Sequence, residues 1–144
     1  MLRFSKKVDY TVLLITDLVD REEEVLSAAS LAEKYSLSPD FIANIMKTLA
    51  KRGFVKSVRG KKGGYKLSMN PEEVSLMDLI EAIDGPVSLT DCSEDDHHLC
   101  AISHMCRSKS KMIEITRQIH TILDDVKLDE ILEKNSPLSF SQAG

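Results

Sequence analysis

Residues 38–65, SPDFIANIMKTLAKRGFVKSVRGKKGGY, decide how this chain folds. Ser38, Pro39 and Asp40 combine a capping hydroxyl, a proline whose missing N–H is dispensable at the first helical position, and an acid at the positive end of the helix dipole. A helix is therefore predicted from here to Arg52. Phe41, Ile42, Ile45, Met46 and Leu49 supply its buried stripe, Lys51 and Arg52 suit its C-terminus, and Gly53 can take the left-handed position that ends it. Beyond it, Phe54–Val58 and Tyr65–Met69 are strand candidates around a loop running from Arg59 to Gly64. Residues 47–66 hold eight basic side chains and no acidic one.

Upstream, Ser27 is an N-cap for a short helix through Tyr35 with Ala28, Leu31 and Ala32 facing inward, and the pattern breaks at Ser36 and Leu37. Two helices joined by a few residues, the second opening on small polar residues and closing on basic ones, read as a helix-turn-helix. Many helical hairpins bind no nucleic acid, so the weight falls on the basic β-hairpin next to them. Its glycines let the tip bend and approach a phosphate backbone, and Arg59 could reach a base edge or a narrow minor groove. A nucleotide cradle is the weaker reading, because the loop lacks the GKS or GKT ending of a P-loop. Before these helices, Lys6–Asp20 predicts a core helix, with Val8, Val12, Ile15 and Val19 at helical spacing and Leu13, Leu14 and Leu18 broadening the face.

At 144 residues, 42% hydrophobic and 29% charged, the chain suits one ordinary domain or a small domain with an appended arm. The net charge of −4 would argue against a polyanionic partner if it were evenly spread. It is not. Residues 1–70 carry 13 Lys and Arg against 8 Asp and Glu, a net of +5, and residues 71–144 carry 6 against 15, a net of −9. The first half is the one expected to meet a polyanion. With no long apolar run and no signal peptide, a cytoplasmic protein away from membranes is expected.

Downstream, Asn70-Pro71 marks a turn. Ser75 and Asp78 have the form of a capping box, and Leu76, Leu79, Ile80 and Ile83 predict a helix that stops at Gly85-Pro86. Met112, Ile115, Ile119, Ile122 and Val126 recur in steps of 3, 4, 3 and 4, a heptad seam too long to be buried on a small core. A second copy of the chain is the expected partner, with packing on the same chain as the alternative. Leu128, Ile131 and Leu132 predict a short closing helix, and residues 135–144 a flexible tail.

Between those helices lie all three cysteines, Cys92, Cys100 and Cys106, with His97, His98 and His104 among them. Thiolates spaced Cys-x7-Cys-x5-Cys can wrap a loop around an iron–sulfur cluster or a zinc ion, and three such ligands leave one position open. Three unrelated core cysteines would have no reason to share a loop rich in Asp, His and Ser. A disulfide would leave one thiol over.

The opening Met1–Tyr10, the hairpin stretches Ser57–Gly60 and Gly63–Tyr65, the Leu79–Asp84 helix and the three-cysteine loop together resemble the IscR/NsrR family of winged helix-turn-helix regulators. The likeness spans nearly the whole chain, and the Leu-Arg-x-Ser-Lys-x-x-Asp-Tyr start is most similar to the branch that regulates SUF iron–sulfur assembly genes. It implies a mainly α fold with a small β-hairpin wing: a winged helix-turn-helix over residues 1–70, then a linker helix, cysteine loop and long dimerisation helix over 71–134. It also implies a homodimer on a palindromic operator in double-stranded DNA, and a cluster on Cys92, Cys100 and Cys106. The 2Fe-2S form is expected ahead of 4Fe-4S.

One branch of that family uses a histidine three positions after the last cysteine, where this chain has Lys109. Another uses a carboxylate from the first helix of the other subunit, and Asp9 stands at the matching place, an ordinary exposed helix acid being the alternative. His104, His97 and His98 are local alternatives for the fourth ligand. For DNA, the resemblance places Ser38, Asp40, Ala43 and Asn44 at the start of the reading helix and Arg59 on the wing. Some relatives carry a larger acidic residue where this chain has Ala43, which would alter target selectivity. Lys47, Lys51, Lys56, Lys61 and Lys62 read as phosphate contacts. The expectation is a transcriptional regulator, a repressor of iron–sulfur assembly genes controlled by its cluster, and not an enzyme. Its rivals are a winged-helix protein with a structural zinc, a thiol-redox regulator without metal, and an enzyme using a cluster for electron transfer or radical chemistry, for which no further catalytic constellation stands out.

Overall fold

The computed structural model describes residues 3–90, 100–102 and 104–132. Its centre is a helix over Pro39–Lys51, here α3, preceded in chain order by α1 (Lys6–Asp20) and α2 (Ala28–Tyr35). Ser38 caps α3 by accepting the Phe41 N–H at 3.2 Å, with Pro39 in the first turn. Ile42, Ile45, Met46 and Leu49 are fully buried, and Gly53 takes a left-handed φ of 84° past the end. Ser27 caps α2 in the same way, accepting the Ser30 N–H at 3.0 Å. The turn between α2 and α3 is made by Ser36, left-handed at φ 54°, and the Leu37 N–H closes it on the Ala32 carbonyl at 2.9 Å.

In α1 the buried face is turned relative to the expected stripe. Val8, Thr11, Leu14, Ile15 and Leu18 are buried, Val12 and Val19 lie at its edges, and Leu13 is exposed. A reading of apolar spacing passes over Thr11. Its hydroxyl donates to the Lys7 carbonyl at 2.7 Å, and this is what lets a polar residue sit in the core.

Strands β1 (Val55–Val58) and β2 (Gly64–Leu67) pair antiparallel, with Val55 opposite Leu67 and Val58 opposite Gly64. Phe54 and Met69, expected at the strand ends, fall just outside them. Leu26 joins the far side of β2, exchanging both backbone hydrogen bonds with Tyr65 at 2.8 Å. Gly64 is needed there, since a Cβ would run into the Leu26 carbonyl.

Helix α4 (Leu76–Asp84) begins with the capping box read from the sequence. The Ser75 hydroxyl accepts the Asp78 N–H at 3.1 Å, and the Asp78 carboxylate accepts the Ser75 N–H at 2.9 Å. Its inward residues are Met77, Leu79 and Ile80, with Ile83 at the edge. Helix α5 (Lys109–Asp125) comes next, and the chain then returns to the base of α4, where Leu76 donates to the Val126 carbonyl and Leu128 to that of Val74. A single 3-10 turn, Glu130–Leu132, stands where a short closing helix was expected. One core gathers residues of α1 to α4, the hairpin and Leu128. No described helix is long and apolar enough to cross a membrane. The expected tail at 135–144 lies outside the described residues.

Candidate DNA-reading face and thiol site

The capped start of α3 projects Ser38, Asp40 and Asn44 to solvent with Ala43 half-buried beside them. Lys47 and Lys51 extend the same helix, one and two turns on, and both are exposed. Across the hairpin, Lys56 on β1 and Arg59, Lys61 and Lys62 in the loop are exposed too. None of these six cations forms an ion pair among the described residues, whereas Lys66 on β2 is tied to Glu23 at 3.3 Å. Exposed, unneutralised cations on two adjoining elements suit a polyanion, because neither has to break a salt bridge to engage one.

The mutual placement of α2 and α3 is reinforced from α1. Asp17 accepts the Tyr35 hydroxyl at 2.5 Å and the Lys34 ammonium at 2.7 and 2.8 Å. Burial, followed by the bond to Asp17, raises the Tyr35 phenol above its ordinary range, and donation to the same carboxylate raises Lys34. Tyr10 meets Phe41 edge to face, with ring centroids 5.5 Å apart, so α1 also touches the first turn of α3.

Of the candidate metal ligands, Cys100 and Cys106 are half-buried free thiols, while His104 and Asp9 are exposed. Cys92, His97 and His98 lie outside the described residues. Among the described residues, no three of His, Cys, Asp and Glu converge as a metal site. Cys106 sits just before α5, where Ser108 makes no side-chain cap of its own. Its sulfur lies 3.4 Å from the Ser108 hydroxyl, and that contact, with the backbone N–H groups of Ser108 and Lys109, holds the thiol below its usual range. The start of a helix stabilises a thiolate for the same reason that it stabilises any anion. The donor chemistry at Cys106 thus suits a soft metal, and equally a reactive thiol.

Two long-range contacts have no counterpart in the sequence pattern. Ser5 donates its N–H and hydroxyl to the two oxygens of Asp84, at 3.0 and 2.6 Å, and His120 on α5 reaches the Val87 carbonyl at 2.5 Å. The only advance signal was weak: Ser5 stands where a helix cap belongs.

Known proteins share this architecture. CymR, the global cysteine regulator of B. subtilis, superposes with a TM-score of 0.74 at 26% identity, over 94% of this chain and all of that one. T. potens IscR gives 0.71 at 27% identity, over 99% of this chain and 94% of its own. In sequence, the HTH-type transcriptional regulator NsrR of Bacillus subtilis (strain 168) is 24% identical over 138 residues, covering 95% of this chain and 94% of that protein. The family model Rrf2, described as iron-dependent transcriptional regulator, matches residues 4–134. The match takes in α3, the β-hairpin, all three cysteines and α5 alike, and the chain belongs to the Rrf2 family of transcriptional regulators.

Proposed function

We propose that this chain is a dimeric repressor whose affinity for a palindromic operator is set by an iron–sulfur cluster, and that it controls iron–sulfur assembly genes. The observation that carries this reading is the position of Cys106. A thiol biased toward its thiolate, the form that binds iron, stands at the start of the helix whose heptad seam is offered to a second copy. Cys92, Cys100 and Cys106 would hold the cluster, with Asp9 of the other copy or His104 as the fourth ligand. When bound, the cluster supplies a redox-active and removable centre. The protein's own part is to hold α5 and the reading head in a geometry that differs between the loaded and empty forms.

In this reading Ser38, Asp40, Ala43 and Asn44 face base edges, Arg59 reaches a base edge or a narrow minor groove, and Lys47, Lys51, Lys56, Lys61 and Lys62 hold phosphates. A ligand can shift DNA affinity only through a difference in how it binds the two states, typically about 1 to 3 kcal/mol. Gel shifts of anaerobically reconstituted and metal-free protein on the promoters of iron–sulfur assembly genes test this, alongside iron content and the visible spectrum. The loaded and empty forms should differ at least about fivefold in affinity. Equal affinities on every cognate operator would sink the cluster-sensing claim.

The same Cys106 environment favours a second reading, thiol-based regulation, because a lowered thiol is also the nucleophilic form. It predicts a disulfide or mixed disulfide after mild oxidation, a matching change in operator affinity, and no iron in protein purified without oxygen.

A further inference from the structure

We propose that Asp84 is a positioning residue for the DNA-reading helix, acting through Ser5, α1 and the Tyr10–Phe41 contact. This rests on the regulatory reading above. Asp84 is the last residue of α4 and stands at the head of the stretch that leads to the cysteines. Its two oxygens take both donors of Ser5, 79 positions away, with Oδ2 on the N–H and Oδ1 on the hydroxyl. Ser5 is the N-cap of α1, and the same Oγ accepts the Val8 N–H at 3.3 Å. Giving its hydrogen to Asp84 leaves the Oγ lone pairs for the helix, so the carboxylate fixes the cap in its working orientation. A two-point attachment also resists rotation of the chain about Ser5.

One turn further on, the Tyr10 ring stands edge-on to Phe41 at an interplanar angle of 86°. Phe41 lies between Asp40 and the Ala43–Asn44 pair, within the part of α3 assigned to base reading. On the other side of Asp84, the Val87 carbonyl takes a hydrogen bond from His120. A carbonyl only accepts, so the His120 Nε2 carries the proton. The stretch 84–87 is thereby pinned to α1 at one end and to α5 at the other. From this stretch a continuous route of direct contacts leads through Ser5 and Tyr10 to Phe41 on α3. Both Asp84 bonds are exposed, so breaking them leaves the buried core in place and separates positioning from folding.

The test is hydrogen exchange by NMR on metal-free, full-length protein carrying Asp84→Asn, which keeps the shape but replaces one accepting oxygen with a donor. Protection should fall by about three- to tenfold at the amides of residues 8–10 and again at 42–46, while Leu31 and Ala32 hold their wild-type rates. Glu23→Ala, which breaks the unrelated Lys66 pair, should leave residues 42–46 untouched. Loosening at 8–10 alone overturns the proposal, as does no change in either segment. A second readout is the ratio of operator affinities between iron-loaded and metal-free protein, or between oxidised and reduced protein. Asp84→Asn should bring that ratio at least about threefold closer to one, with iron content and absorbance unchanged; an unaltered ratio overturns the proposal. Should the wild-type ratio itself be one in both pairs, the regulatory reading fails, and the exchange rates alone decide the role of Asp84.

Discussion

Helices α3 and α5 treat their apolar residues in opposite ways. In α3, Ile42, Ile45, Met46 and Leu49 are all sealed from solvent, and apart from Pro39 in its first turn the exposed residues are polar or charged. In α5, 17 residues long against 13, only Thr116 is buried, while Ile115 and Ile122 are 40% and 48% exposed. The contrast is between a helix whose apolar stripe is sealed within its own chain and one whose apolar stripe is left partly open to solvent. Large aliphatic side chains at heptad spacing gain little by facing water, and a second α5 is the surface that would match them. Val126, read from the sequence as the last residue of that seam, has left it. It is buried in its own chain, where its carbonyl receives the Leu76 N–H at 2.8 Å.

The contrast would break most visibly at the core end. Leu49→Ala should lower unfolding free energy by about 3 kcal/mol or more, because it leaves a cavity in a site walled by fully buried neighbours. Urea denaturation measures this, and a loss below about 1 kcal/mol would mean that α3 is not the centre of the packing. At the other end, Ile115→Asp with Ile122→Asp should leave the helical circular dichroism intact. It should weaken self-association by about 100-fold, or roughly 3 kcal/mol, as read from sedimentation. If the pair of substitutions instead unfolded the single chain, α5 would belong to the first class of helix after all.

The smallest expected effect sharpens the picture of how the head holds together. Tyr35→Phe removes the hydroxyl bonded to Asp17 and should cost about 1 kcal/mol near neutral pH. Because folding raises the Tyr35 phenol and Lys34, their contribution is fully present below their ordinary range and is lost as pH climbs through the raised values. Melting temperature should therefore fall on the alkaline side, above about pH 10, more steeply in wild type than in Tyr35→Phe.

Much of the head was legible because its signals are local. Ser38, Pro39 and Asp40 announce the start of α3, Gly53 its end, and the Ser75–Asp78 box the start of α4, each through chemistry confined to one turn of chain. What was hidden is what depends on distant partners. Thr11 is buried only because it can turn its hydroxyl onto the Lys7 carbonyl, and no apolar periodicity marks it. The Ser5–Asp84 and His120–Val87 bonds join positions 79 and 33 apart and leave no pattern in composition. The cysteines could be named as soft donors from the sequence alone, but Cys92 lies outside the described residues, and the contact that lowers the Cys106 thiol comes from a serine two positions on that no ligand spacing marks.

The seat of Gly64 against Leu26 has one more implication. With Tyr65 and Leu26 sharing both backbone bonds and no room for a side chain between them, the base of the hairpin is stitched to the segment that opens α2, and a displacement of one strains the other.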